Sequence, residues 1–257
     1  MKLARFKHGK RIGYGILQDG VLEEISTTPF LPWEETGVSY DLSDVILLAP
    51  SVPSKVIGIA LNYRDHVEEM GKAIPEYPNF FYKPSTSVVG PGGVVVTPPG
   101  CKQLDYEGEL AVVIGSVAKS VSLGRHEEVI LGYTCGIDAT ARDLQAIDGQ
   151  WGRAKGFDTS APIGPWIETE LDPSNLAITT KLNGEIKQSS TTSMMIFNVA
   201  SLITFVSAYV TLLPGDVILT GTPSGIGPMN QDDHLRVEIE GIGALDVSVA
   251  GSRGPRR

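Results

Sequence analysis

The stretch LDYEGELAVVI, residues 104–114, restricts this chain more than any other segment. Its last five residues are an uninterrupted apolar run, the pattern of a strand buried on both faces. Directly before that run stand Asp105, Glu107 and Glu109, at every second position. Alternate residues of a strand share a face, and like charges side by side destabilise it. A fold that buries this strand must bring positive charge to its acidic end.

The rest of the chain is punctuated for short strands. Residues 1–25 alternate loosely about a turn at Gln18-Asp19-Gly20, a small hairpin. Residues 26–50 read as irregular, and APSVPSK (49–55) reads as a connector. This organisation predicts a small N-terminal β domain over 1–50, a main domain over 51–250 and a frayed basic tail over 251–257. Strands are expected at 55–62, on both sides of the Pro/Gly-rich turn in 79–100, and at 215–227, where the strand runs into a Gly-rich loop. YRDHVEEMGK (63–72) reads as a short helix, with Asp65 as its N-cap and Gly71 as its stop. Hairpins are expected around Asn183-Gly184 and around Gly241–Gly243. No βαβ rhythm and no dinucleotide glycine motif follow a strand, so the class is α+β, mainly β.

Composition excludes some partners. A formal charge of −9 over 257 residues argues against nucleic acid, which selects basic faces. The apolar run from Asn198 to Gly215 is shorter than the roughly 20 residues that span a bilayer. It reads as a core or subunit-interface helix, so no membrane role is expected. The N-terminus lacks the apolar core of a signal peptide. Cys101 and Cys135 match no metal or redox spacing and read as reduced thiols, which suits a cytoplasmic protein.

Several polar residues qualify for chemistry, each with a bland alternative. Glu107 and Glu109 suit a hard cation bound through oxygen, or are solvated acids at a strand end. Gly108 between them leaves room for a close approach to the backbone. Asp138 ends an apolar segment as a third acid, or caps a helix ATARDLQ. Arg142 and Gln145 follow at i+4 and i+7, the same helical face if that helix begins at Asp138. His66 and Glu69, at i,i+3, form either an oriented general base or a surface pair. Lys155 and Lys83 read as anion clamps or as surface lysines. Thr222 lies in LTGTPSGIG, a loop suited to holding an anion.

Six segments together resemble the fumarylacetoacetate hydrolase family: NYRDHVEEM, FFYKPSTSVVGP, LDYEGELAVVIG, GIDATARDLQ, GRAKGFDTSAPIGPWI and LLPGDVILTGTPSGIG. They run in the family's order over roughly residues 50–228. The resemblance implies a mixed β-roll of the family's C-terminal type behind a small N-terminal β domain, usually as a homodimer. It implies carboxylate ligands at Glu107, Glu109 and Asp138, with Mg²⁺ or Mn²⁺ as the cation and Ca²⁺ as a third candidate. It also implies a catalytic His66–Glu69 pair, substrate contacts from Arg142, Gln145, Lys155 and Thr222, and a place in aromatic catabolism. The founding members' further acidic ligand has no counterpart before His66, where the chain reads GIALNYRD. That departure resembles the acylpyruvase, oxaloacetate decarboxylase and hydroxyheptadienedioate isomerase branch. The reaction implied is C–C bond hydrolysis of a 2,4-dioxo acid through a metal-bound enolate. Oxaloacetate decarboxylation and isomerisation of 2-hydroxyhepta-2,4-diene-1,7-dioate are alternatives on the same site. An idle ligand-binding protein that keeps the fold is the alternative of another class. Residues 64–79 are expected to cover the site.

Overall fold

The computed structural model describes residues 1–252. From residue 253 on, the expected tail lies outside the described residues. Strands dominate, in sheets of twelve, five and three strands. The fold is mainly β, as the sequence predicts.

The centre of the large sheet is strand Gly108–Ile114. It pairs antiparallel with Ile130–Ile137 on one side and with Val217–Leu219 on the other. Both faces are covered, which explains the unbroken LAVVI run. Leu110, Val112 and Ile114 enter one core cluster, with Ile178, Val237 and Leu245 of the five-stranded sheet and Leu202, Ile203 and Val206 of a helix. Ala111 and Val113 enter the other, with Val56, Ile163 and Val217. Glu109 shares this second face, and Gly108 shares the first.

The N-terminal segment extends the large sheet: strand Lys2–His8 pairs with Ala161–Glu168 through Lys2↔Glu168 and Leu3↔Ile167. Residues 26–50 are not irregular. Glu35–Asp41 and Ile46–Leu48 are strands. Glu35–Asp41 escaped detection because it is an almost fully exposed edge, paired through its backbone with Val21–Ile25, and lacks apolar alternation. The hairpins at Asn183-Gly184 and Gly241–Gly243 form as expected.

Four α-helices are described: α1 Arg64–Glu69, α2 Arg142–Ile147, α3 Gly152–Lys155 and α4 Val199–Tyr209. Two capping expectations fail. Asp65 lies inside α1, whose N-cap is Tyr63. Asp138 stands well before α2, whose N-cap is Ala141, so Asp138 does not share a helical face with Arg142 and Gln145. The apolar run gives only eleven helical residues in α4, because Asn198 caps its start through Ser201 N at 2.9 Å and the chain is extended from Val210. Among the described residues, no helix is long and apolar enough to cross a membrane.

Candidate active site

Two paired strands change sheets at one point, and the acids sit there. Gly108 pairs with Ile137 in the large sheet. Leu104 and Asp105 pair with Ala141 and Thr140 in the three-stranded sheet. Between the two sheets lie Glu107 and Asp138, joined by a hydrogen bond from Asp138 N to Glu107 O of 2.9 Å. Release from regular pairing lets both side chains turn toward Glu109. One carboxylate oxygen from each of Glu107, Glu109 and Asp138 lies within 4.8 Å of the others, and all three residues are buried.

Positive charge reaches this cluster unevenly. Lys155 Nζ lies 2.9 Å from Glu107 Oε2 and 2.6 Å from Asp138 Oδ2. Arg142 donates through Nη2 to Glu107 Oε1 and through Nε to Asp105 Oδ2 at 2.8 Å. Among the described residues, Glu109 receives only the Gly221 N–H, at 2.6 Å. The carboxyls respond accordingly. Burial works to raise Glu107, but Lys155 and Arg142 outweigh it and hold the acid well below the ordinary range. Burial, then the charges of Asp138 and Glu107, push Glu109 well above it. Lys155 is buried, yet Asp138 and Glu107 more than offset that desolvation and favour its charged form.

These residues fit a hard divalent cation. Three buried carboxylates converge, and among the described residues Glu109 has no cationic partner. Oxygen donors of that kind select Mg²⁺, Mn²⁺ or Ca²⁺ over softer metals. Asp105 is not in the cluster. It is 3% exposed, not solvated, and braces Arg142 together with Gln103.

A cavity of about 170 Å³ opens over the cluster, lined by His66, Glu107, Arg142, Gln145, Lys155 and Thr222. Phe81, Trp151, Met70 and Lys72 also line it, with the strand end Ile59–Leu61. His66 Nδ1 lies 2.9 Å from Glu69 Oε2. That carboxylate favours the Nδ1–H tautomer and leaves Nε2 for a ligand. Gln145 accepts from Arg142 Nη1 at 2.7 Å and fixes the guanidinium plane. A larger depression of about 690 Å³ lies near Tyr133 and Asn198, but the interlinked acids and bases converge on the smaller one.

Lys83 does not line the cavity. It is fully buried, and its Nζ donates to the carbonyls of Ala139, Lys155 and Ser160 while lying 2.7 Å from Asp138 Oδ1. Its ammonium is thus spent on the Asp138 carboxylate and on the backbones of Ala139, Lys155 and Ser160. Thr222 reaches the cavity with its hydroxyl already engaged, donating to Gly108 O at 2.9 Å and accepting from Gln188 Nε2 at 2.8 Å.

Gln188 is a site residue without a motif. It also accepts from Gly108 N at 2.9 Å and donates to Pro223 O, tying the hairpin at 177–191 to the acidic strand and the Gly-rich loop. The close approach at Gly108 comes from this hairpin, on the face away from the acids. A Cβ there would stand 2.1 Å from Thr180 Oγ1. The only sequence signal was the glycine itself.

Comparison with known proteins places these features in a family. The family described as fumarylacetoacetate (FAA) hydrolase, C-terminal, matches residues 55–250, and an Rv2993c-like N-terminal family matches residues 1–50. Protein Rv2993c of Mycobacterium tuberculosis is 48% identical, over 90% of this chain and 89% of its own. The mitochondrial oxaloacetate tautomerase Fahd2a of Rattus norvegicus is 42% identical, over 79% of this chain and 69% of its own. Among solved structures, 5-carboxymethyl-2-hydroxymuconate delta-isomerase from Mycobacterium smegmatis superposes with a TM-score of 0.93 at 44% identity, covering 98% of this chain and 100% of the other. Fumarylpyruvate hydrolase from Pseudomonas aeruginosa, in complex with Mn²⁺ and pyruvate, does so with 0.74 at 34%, covering 77% and 90%. With a family match across three quarters of its length and relatives of this identity, the chain belongs to the fumarylacetoacetate hydrolase family.

Proposed function

We propose that this chain is a divalent-metal-dependent enzyme of small 2-oxo acids whose primary reaction is proton transfer at C3, as in tautomerisation or isomerisation. The observation that carries this reading is a small cavity lined by His66, Arg142, Lys155 and Glu107 of the buried carboxylate cluster, with Glu69 against the His66 ring. At about 170 Å³ it lies below the usual range for drug-sized ligands and suits a compact acid.

Glu107, Glu109 and Asp138 would hold a divalent cation such as Mg²⁺ or Mn²⁺, which would supply Lewis-acid stabilisation of a 2-oxo acid. Arg142, braced by Asp105 and Gln145, binds a substrate carboxylate. Lys155 offsets the negative charge that grows on the substrate oxygen. His66 Nε2 takes the C3 proton, and Glu69 stabilises the imidazolium that results. The imidazolium returns the proton to the enolate oxygen or, in an isomerisation, to the far carbon of the conjugated system. Thr222 forms part of the cavity wall, held in place by Gln188 and Gly108.

Hydrolysis of a C–C bond in a 2,4-dioxo acid is the second reading, with His66 taking its proton from water. The fumarylpyruvate hydrolase among the structural neighbours favours it. The sequence ranked hydrolysis first. Relatives named tautomerase and isomerase stand at 42% and 44% identity against 34% for that hydrolase, and this difference favours proton transfer. Decarboxylation of oxaloacetate needs the same groups without water.

The experiment follows the Mn²⁺-loaded chain with oxaloacetate, acetylpyruvate and fumarylpyruvate, by enol absorbance and by pyruvate release. Accelerated enol loss without pyruvate supports proton transfer. Stoichiometric pyruvate from the dioxo acids moves the assignment to hydrolysis, and pyruvate from oxaloacetate moves it to decarboxylation. No turnover of any of them, with Mn²⁺ bound, leaves a ligand-binding protein and sinks the enzyme reading.

The proposed assembly is a homodimer. Tyr77, Tyr82 and Tyr209 are each more than half exposed and lie with Phe80 and Phe205 in one aromatic face at the outer edge of strand Asn79–Pro84. Such a face suits a second copy of the chain, and light scattering on Tyr209→Glu, expected to be monomeric, checks it. Both cysteines are free, which fits a reducing cytoplasm as the proposed location.

A further inference from the structure

α1 carries His66, and the buried Tyr63 and Val67 seat one side of it. It is six residues long and no side chain caps its start. Isolated helices of that length are not stable, so its position must come from tertiary contacts. Asp65 adds polar ones. Its Oδ2 accepts from Ser190 Oγ at 3.1 Å and from Ser224 Oγ at 3.2 Å. These partners lie 125 and 159 residues away, in the hairpin strand Glu185–Thr191 and in the Gly-rich loop.

An acid in the first turn of a helix ordinarily serves the helix itself, through its dipole and free N–H groups. Asp65 does part of that with Oδ1, which accepts from His66 N at 2.9 Å. Helix stabilisation does not explain why Oδ2 meets hydroxyls from two distant elements. One turn on, Glu69 repeats the arrangement: Oε2 meets His66 Nδ1, while Oε1 accepts from Gly225 N at 2.9 Å. The Gly-rich loop is itself fixed. Tyr106 donates to Gly225 O at 3.0 Å, and Gly225 has φ +96° with Lys187 O only 2.1 Å from where a Cβ would stand. Two acids of α1 therefore clasp one rigid loop, and the imidazole lies between them in sequence.

We propose that Asp65 is a positioning residue, which with Ser190 and Ser224 clasps α1 to the hairpin and the Gly-rich loop and so sets the place of His66 over the cavity. This rests on His66 being the base of the proposed reaction. Small misplacements of a catalytic group slow turnover steeply, and a shift of α1 leaves the backbone that carries Glu107, Glu109 and Asp138 in place.

The test uses the full chain loaded with Mn²⁺ and compares Asp65→Ala, Asp65→Asn and the double variant Ser190→Ala/Ser224→Ala. Hydrogen–deuterium exchange of residues 64–69 is expected to accelerate at least about tenfold in Asp65→Ala and in the double serine variant. Their kcat is expected to fall on the order of 10- to 100-fold, with KM and Mn²⁺ affinity within about twofold. Asp65→Asn, which keeps an acceptor oxygen, recovers most of the rate. Adding Asp65→Ala to the serine changes deepens the loss by less than about twofold, since the groups act as one unit. Wild-type exchange in the double serine variant overturns the clasp, and so do fully additive losses of rate. Should Asp65→Ala not fold, the serine variant carries the same readouts. Exchange needs no substrate, so an inert wild-type enzyme defeats the proposed function while the clasp is still decided.

Discussion

Two buried carboxylates on neighbouring strands of the large sheet have opposite surroundings. Asp216, just before strand Val217–Leu219, is fully buried and accepts from Ser54 N, Ser54 Oγ, Lys55 N and Leu213 N, with the Lys55 ammonium against Oδ2. Glu109, on the adjacent strand, is 1% exposed and, among the described residues, accepts from Gly221 N alone. Burying a charge without partners is costly, so Asp216 is built to hold two parallel strands together, and Glu109 suits the proposed cation site. Burial makes both acids notable, but the donor inventory separates the one that cements the fold from the one that awaits a ligand.

The largest effect is expected from Glu109→Gln. Losing an outer-shell partner costs 10- to 100-fold in metal affinity, and losing a ligand more, so Mn²⁺ affinity and turnover should both fall on the order of 1000-fold. Isothermal titration with Mn²⁺ and the oxaloacetate assay check this. The metal-free variant is expected to be no less stable than the wild type, because Glu109 is already pushed upward by burial and by its acidic neighbours. Asp216→Ala is the converse. It strands a lysine and several N–H groups, at roughly 3 kcal/mol of stability, or roughly 6–12 °C in melting temperature for a chain of this size. The Asp216→Ala protein that does fold keeps its Mn²⁺ affinity. Wild-type metal binding in Glu109→Gln would break the comparison at its first term.

Ligand linkage gives a smaller, independent readout. Mn²⁺ at 100 times its dissociation constant stabilises the wild type by about 2.7 kcal/mol, a melting increase of roughly 5–11 °C. The same addition should leave Glu109→Gln unmoved and raise Asp216→Ala by as much as the wild type. Scanning calorimetry with and without Mn²⁺ decides between these outcomes.

What the sequence disclosed was local. The hairpins at Asn183-Gly184 and Gly241–Gly243 rest on turn chemistry within a few residues. The meeting of His66 with Glu69 needs only one helical turn. The spacing of Glu107 and Glu109 flagged an acidic strand end, although the ligand set came from family resemblance and not from spacing. What stayed hidden depends on pairing across the chain. Asp138 reaches Glu107 because two strands leave the same sheet together. Lys83 reads as an anion clamp until its ammonium is seen to be spent on three carbonyls. Asp65 reads as a cap, Asp105 as one more acid at a strand end, and Gln188 as nothing at all. Each owes its role to partners more than thirty residues away.

Asp105 provides the finest test, because it stands between the two extremes. It is 3% exposed, accepts from Gln103 Nε2 at 3.0 Å and holds Arg142 Nε at 2.8 Å, so it is neither saturated by backbone donors nor left open. If donor inventory separates structural from ligand-seeking acids, an acid spent on a guanidinium should affect only what that guanidinium does. Asp105→Asn keeps the size and one acceptor oxygen but removes the charge. Charge-assisted hydrogen bonds are roughly twice as strong as neutral ones, so Arg142 should be held less firmly, with kcat/KM falling about 3- to 10-fold. Mn²⁺ affinity should stay within about twofold, because Asp105 lies outside the converging oxygens. A loss of metal affinity in Asp105→Asn as large as in Glu109→Gln would mean that the acidic strand end acts as one electrostatic unit, and the distinction between its carboxylates would fall.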